Sequence, residues 1–129
     1  SSPRENHRME QLKSIIEYID KNYAMDISLT DLSRIVNLSP QYICRIFREC
    51  MNMRPFEHLT KKRLYEAKNL LLDTSLSIND ISKAVGYNDC SYFCAVFKKQ
   101  ENVSPAEYRM LYAERQLVRA EREARNAEG

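Results

Sequence analysis

Only two glycines and four prolines occur in 129 residues, so there are few places where the backbone could turn sharply or a helix be interrupted. No stretch alternates apolar and polar residues with a period of two, and an all-helical domain with essentially no sheet is therefore expected. No apolar run approaches the roughly 20 residues that cross a bilayer, and the polar start has no signal-peptide core. The expected setting is the cytoplasm, with no membrane partner. Histidine is scarce too: His7 and His58 have no Ser, Cys or carboxylate at a spacing that suggests catalysis, so neither an enzyme nor a cofactor is expected. The net charge of +2 is too small to point to a polyanion by itself.

Cysteine is present at Cys44, Cys50, Cys90 and Cys94, all within expected helices, which favours reduced thiols over a disulfide framework. Cys90 and Cys94 stand at i,i+4 and could join a metal site or a redox switch. No His or further Cys lies at ligand spacing, however, and no metal is expected. The eight tyrosines fall mostly at inward or boundary positions and read as packing residues rather than stacking platforms for single strands.

The most informative feature is a repeat. Residues 37–48 (NLSPQYICRIFR) and 86–98 (GYNDCSYFCAVFK) share a turn-then-helix pattern. Ile43 falls on Phe93, Phe47 on Phe97 and Pro55 on Pro105 at an offset of 50, whereas Ser28 falls on Ser77, Leu32 on Ile81 and Val36 on Val85 at 49, so one residue has been added in the turn. In chain order, Leu12, Ile15, Ile16, Ile19 and Tyr23 mark an amphipathic first helix. Ser28 and Asp31 form a capping-box pattern before a short helix with Leu32, Ile35 and Val36 inward. Ser39 caps a third helix with Pro40 at its first position. Pro55 opens a longer helix to about Asp73, with Phe56, Leu59, Leu64, Ala67, Leu70 and Leu71 inward. The second copy repeats this grammar: Ser77 with Asp80, a turn at Gly86, Asp89 as the next cap, and Ser104-Pro105 opening the last helix. Beyond Tyr112, four Arg and four Glu read as a solvated, fraying helix, with Glu121 and Arg125 at i,i+4.

The expected partition is a tail at 1–8 beginning with Ser1 and Ser2 as a leftover of cloning, a first helix-turn-helix subdomain at 9–53, a linking helix at 54–73, a second subdomain at 74–112 and a charged helical tail at 113–129. The buried pairs Ile43/Phe47 and Phe93/Phe97 fix the opposite face of each second helix at about 100° per residue. In the first copy that face carries Gln41, Arg45, Arg48 and Glu49, with Tyr42 and Cys44 at its margins. In the second it carries Ser91, Ala95, Lys98 and Lys99, with Tyr92 and Cys94 beside them. Arg and Gln are residue types that pair with guanine and adenine edges, and a capped helix N-terminus suits a phosphate. A merely solvated face is the competing reading for Arg48, Glu49, Lys98 and Lys99. Residues 41–68 hold seven Lys/Arg against three Glu, a local +4, while residues 69–112 hold four against five Asp/Glu.

The segments SLTDLSRIVNLSPQYICRIFREC, RLYEAKNLLLDTSLSINDISKAVGY and YNDCSYFCAVFKKQENVSPAEYR resemble the DNA-binding domain of the AraC/XylS family of bacterial transcription regulators across residues 9–112. In the second motif, Ile81, Gly86, Tyr87, Tyr92, Phe93, Phe97, Lys98, Pro105, Tyr108 and Arg109 follow the family signature. The resemblance implies two three-helix, homeodomain-like subdomains, about seven helices in all, that place helices 40–50 and 89–100 in successive major grooves of duplex promoter DNA. It also implies RNA polymerase as a partner and, as is usual in the family, an effector-binding domain N-terminal to this segment, with single-domain members of similar length as the alternative. The expected DNA-binding residues are Ser39, Pro40, Gln41, Cys44, Arg45 and Arg48 in the first copy. In the second they are Asp89, Ser91, Tyr92, Cys94, Ala95 and Lys98, with Lys61, Lys62, Arg63 and Lys99 as phosphate contacts. The sequence departs from the family pattern at Asn52, usually Gly, and at Ala95, often Arg. Base discrimination is therefore expected mainly from the first copy. A helical-repeat module for protein interaction is the alternative function.

Overall fold

The computed structural model describes residues 2–128. Among them are seven helices and no strand: α1 (Pro3–Asn22), α2 (Leu29–Val36), α3 (Pro40–Met51), α4 (Pro55–Asp73), α5 (Ile78–Ala84), α6 (Cys90–Glu101) and α7 (Pro105–Glu128). Their starts are set locally. The Ser28 hydroxyl accepts from the Asp31 N–H at 3.0 Å while the Asp31 carboxylate accepts from the Ser28 N–H at 3.3 Å. Ser104 and Glu107 repeat that exchange at α7. Ser39, Ser77 and Asp89 cap α3, α5 and α6.

Those reciprocal caps have an acid-base consequence. Hydrogen bonds from Ser28 hold the Asp31 carboxyl below its ordinary 3.8, and Ser104 holds Glu107 below 4.5. A depressed folded-state value stabilises the fold above the unfolded value, and that contribution is lost as pH falls through the folded one. The thermal midpoint is therefore expected to fall on acidification from about pH 5 to about pH 3, less so in the Asp31→Asn/Glu107→Gln double variant. Identical slopes for the two proteins would remove these caps as the cause.

The described residues form two compact units that divide between Arg63 and Leu64, so α4 is shared between them. In the first unit Leu12, Ile15, Ile19, Ile27, Leu32, Ile43, Ile46, Phe47 and Leu59 make one buried cluster. In the second, Leu64, Ala67, Leu71, Ile81, Val85, Phe93 and Phe97 are buried. A run of rings passes through that unit from Tyr92 to Tyr87, Phe93, Phe97, Tyr108 and Tyr112, with successive centroids 4.4 to 5.9 Å apart.

Both helix-turn-helix corners are held the same way. In the first, Leu38 N–H donates to Ser33 O at 3.2 Å and the Ser33 hydroxyl donates back to Leu38 O. In the second, Tyr87 N–H donates to Ser82 O at 2.9 Å and the Ser82 hydroxyl lies 3.5 Å from Tyr87 O. The serines are 49 positions apart, so the corner is conserved between the copies and the added residue, Asn88, follows it. The left-handed residue is Asn37 in one corner and Gly86 in the other. Asn52, where the resemblance led one to expect Gly, takes φ 52° after α3, a conformation asparagine tolerates because its short amide offsets part of the Cβ penalty.

Three expectations are corrected. Residues 3–8 are not a tail: Ser2 and Glu5 form a capping box with Pro3 at the first position, and α1 starts there. Phe56 is 39% exposed, because the buried Pro55 sets the inward direction of the first turn of α4 and the next residue points about 100° away from it. Ile35 is 49% exposed, since Leu32 is the residue that the two-turn α2 buries. Beyond Tyr112 the expected solvated helix is present, exposed and running to Glu128, with an i,i+4 ion pair between Arg119 and Glu123 at 3.2 Å.

Candidate nucleic-acid interface

On α3 the inward residues Ile43, Ile46 and Phe47 leave Gln41, Cys44, Arg45, Arg48 and Glu49 exposed. Ser39, also exposed, spends its hydroxyl on the Tyr42 N–H at 3.1 Å, and Pro40 is half-buried at the first position. The Arg45 guanidinium lies 5.4 Å from the centre of the Tyr42 ring. The Tyr42 hydroxyl in turn donates to the Gln11 side chain on α1. Stacking limits where a long side chain can go, so Arg45 is offered on a platform anchored to another helix. Neither Tyr42 nor Gln11 is recognisable as a support from sequence spacing, because the contact spans 31 residues.

Glu49 would oppose anion binding on this face, but it pairs with Arg8 of α1, whose guanidinium also reaches Cys50. The arginines of α3 are thus spared an unpaired carboxylate beside them. Ser39 is moreover a neutral cap, so the positive end of the α3 dipole is not cancelled by a side-chain charge.

The second unit differs at the same places. Asp89 accepts from the Ser91 and Tyr92 N–H groups at 2.9 and 3.3 Å, so a carboxylate already occupies the start of α6. A phosphate would meet like charge there. Ser91, Ala95, Lys98 and Lys99 are exposed, and Tyr92 is 61% exposed with its ring against Tyr87. The Lys98 ammonium is close enough to Glu107 to help hold its carboxyl down. Burial raises the Cys94 thiol above its ordinary value and the neighbouring Cys90 adds to the rise, so this margin of α6 carries a neutral S–H.

The expected phosphate contacts separate into two kinds. Lys61 and Lys99 are exposed. Arg63 instead donates through Nε to Tyr23 O at 2.7 Å and through a terminal nitrogen to Met25 O at 2.8 Å, closing the C-terminal end of α1, while the Lys62 ammonium sits 5.5 Å from the Tyr23 ring centre. Arg109 does the equivalent job at the end of α4, donating to Leu71 O at 3.0 Å and Thr74 O at 3.3 Å. His58 bonds Asp20 at 2.9 Å and ties α4 to α1.

Residues 32–123 match the family described as "Helix-turn-helix domain". The chain belongs to the AraC/XylS family of helix-turn-helix domains. Similar to it is the lactose operon transcription activator of Staphylococcus xylosus, 35% identical over 100 residues, which are 78% of this chain and 36% of that protein. The C-terminal domain of AraT, a response regulator from Geobacillus stearothermophilus, superposes with a TM-score of 0.76 at 33% identity, covering 85% of this chain and 86% of that one. The DNA-binding domain of AdpA, solved with a target DNA, shares the fold with a TM-score of 0.76 at 22% identity, covering 81% and 94%. This AraC/XylS-type chain spans about a third of the length of the first curated relatives it matches. Among its described residues no helix is long and apolar enough to cross a membrane.

Proposed function

We propose that this domain is the sequence-specific duplex-DNA-binding part of a cytoplasmic bacterial transcription regulator, with α3 and α6 entering successive major-groove segments of promoter DNA. The observation that carries the reading is the outward face of α3, where exposed Gln41 and Arg48 flank an Arg45 held over Tyr42. In the major groove a guanidinium pairs bidentately with guanine and a carboxamide with adenine. RNA polymerase as a partner and an effector-binding domain N-terminal to this segment belong to the same proposal. Family membership and the DNA-bound AdpA neighbour support it.

The proposal assigns base discrimination chiefly to the first unit. α6 offers Ser91 and Ala95 where α3 offers Gln41 and Arg45, and its N-terminus is filled by Asp89. Fragments selected from genomic DNA by the purified domain supply a cognate duplex. Arg45→Ala is expected to cost about 1 to 3 kcal/mol there and to relax preference at one base pair. Lys98→Ala is expected to weaken cognate and scrambled duplexes alike and to lower the salt slope by about one unit. Equal losses of specificity from the two substitutions would overturn the assignment. Binding insensitive to ionic strength would favour a protein-docking module instead.

A further inference from the structure

Cys90 and Cys94 stand one turn apart on α6, both half-buried. Helical positions i and i+4 place their Cβ atoms about 5–6 Å apart, and rotation about χ1 can bring two sulfurs to opposite sides of one ion. The same spacing is poor for a disulfide, which wants Cβ atoms about 4 Å apart and would distort the helix. Cys44 and Cys50 are both exposed and stand six positions apart on α3, about 240° around the helix, so they cannot converge on one ion. Among the described residues no three His, Cys, Asp or Glu side chains come together as a metal cluster. A tetrahedral zinc site and an oxygen-lined calcium or magnesium site therefore lack their ligands. Two thiols without a third donor suit an ion satisfied by two soft ligands in line.

We propose that Cys90 and Cys94 form a two-coordinate bis-thiolate site on α6 for a soft, thiophilic cation of the Cu(I) or Hg(II) type. Soft sulfur ligands select such ions over harder ones. On binding, two metal–sulfur bonds form, two S–H bonds break and two protons are released to solvent; no electrons are transferred. The site does not depend on the DNA-binding reading, because both ligands lie within one helix.

The test uses the reduced 129-residue chain, titrated with mercuric chloride in the presence of excess glutathione, which outcompetes single thiols but not two thiols fixed one helical turn apart. One Hg(II) per chain should be retained, with ligand-to-metal absorbance in the ultraviolet. Cys90→Ser or Cys94→Ser should each weaken retention by about 10²-fold, the advantage expected for an intramolecular second ligand, and Cys44→Ser/Cys50→Ser should leave it unchanged. Retention that survives loss of Cys90 or Cys94, or that vanishes in the Cys44/Cys50 variant, would overturn the proposal. A second measurement needs no variant. After loading, alkylation by iodoacetamide read residue by residue in a mass spectrometer should spare Cys90 and Cys94 while modifying Cys44 and Cys50, and equal modification of all four would count against the site.

Discussion

Phe97→Ala should destabilise the second unit by about 3–5 kcal/mol. Phe97 is fully buried on α6, with Phe93 on one side at 5.9 Å and Tyr108 of α7 on the other at 5.5 Å, nearly edge-on. Truncation removes the burial of a whole ring, leaves a cavity that close-packed neighbours fill only in part, and interrupts the ring series that links α6 to α7. Since small domains are stable by roughly 5–15 kcal/mol, this is a large share of the total. The chain has two compact units and can unfold in more than one step, so hydrogen exchange at the α5–α7 amides under increasing urea locates the effect better than a single global transition. Phe47→Ala is the matching experiment in the first unit, where the loss should appear in the α2 and α3 amides. A loss below about 1 kcal/mol from Phe97→Ala would mean that the α6–α7 contact is not the packed core described above.

The second large effect concerns Arg63 and Arg109, and here stability and binding give opposite answers for two roles of the same charge. Each guanidinium forks across two carbonyls at the negative end of a helix, Arg63 on Tyr23 and Met25 after α1, Arg109 on Leu71 and Thr74 at the end of α4. Hydrogen bonds from a charged donor contribute about 1.5–3 kcal/mol each, and partial exposure together with non-additivity reduces the sum, so each Arg→Ala is expected to cost about 2 kcal/mol of stability. Lysine should recover less than half, because a single ammonium cannot span both carbonyls in the plane of a fork. For Arg63 the salt dependence of DNA binding should stay as it is. A phosphate-contacting Arg63 would instead lower the salt slope by about one unit and leave the unfolding midpoint almost unmoved. Urea titration and a two-salt binding titration on the same variant decide between them.

What could be read along the chain was whatever depends on near neighbours. Helix starts rest on bonds between residues three apart, as in Ser28 with Asp31 and Ser104 with Glu107, so the seven helices and their order were legible before any tertiary contact was known. The period of a helix did the rest: burying Ile43 and Phe47 forces Arg45 outward, just as burying Phe93 and Phe97 forces Ala95 outward. The repeated corner serines, Ser33 and Ser82, stand at the offset of 49 shared by the residues before the turn, but nothing in a hydroxyl's position along the chain says that it will bond a carbonyl five residues on. Only the tertiary structure decided where the long charged side chains go. Arg63 reads as one more cation in a basic stretch, yet its acceptors lie 40 and 38 residues away. Glu49 reads as a carboxylate on the outward face, yet Arg8 neutralises it from 41 residues away. Such residues have several rotatable bonds and reach many partners at similar cost, so their destinations are set by which backbone carbonyls and counter-charges the packed helices bring within reach, and local sequence carries no record of that.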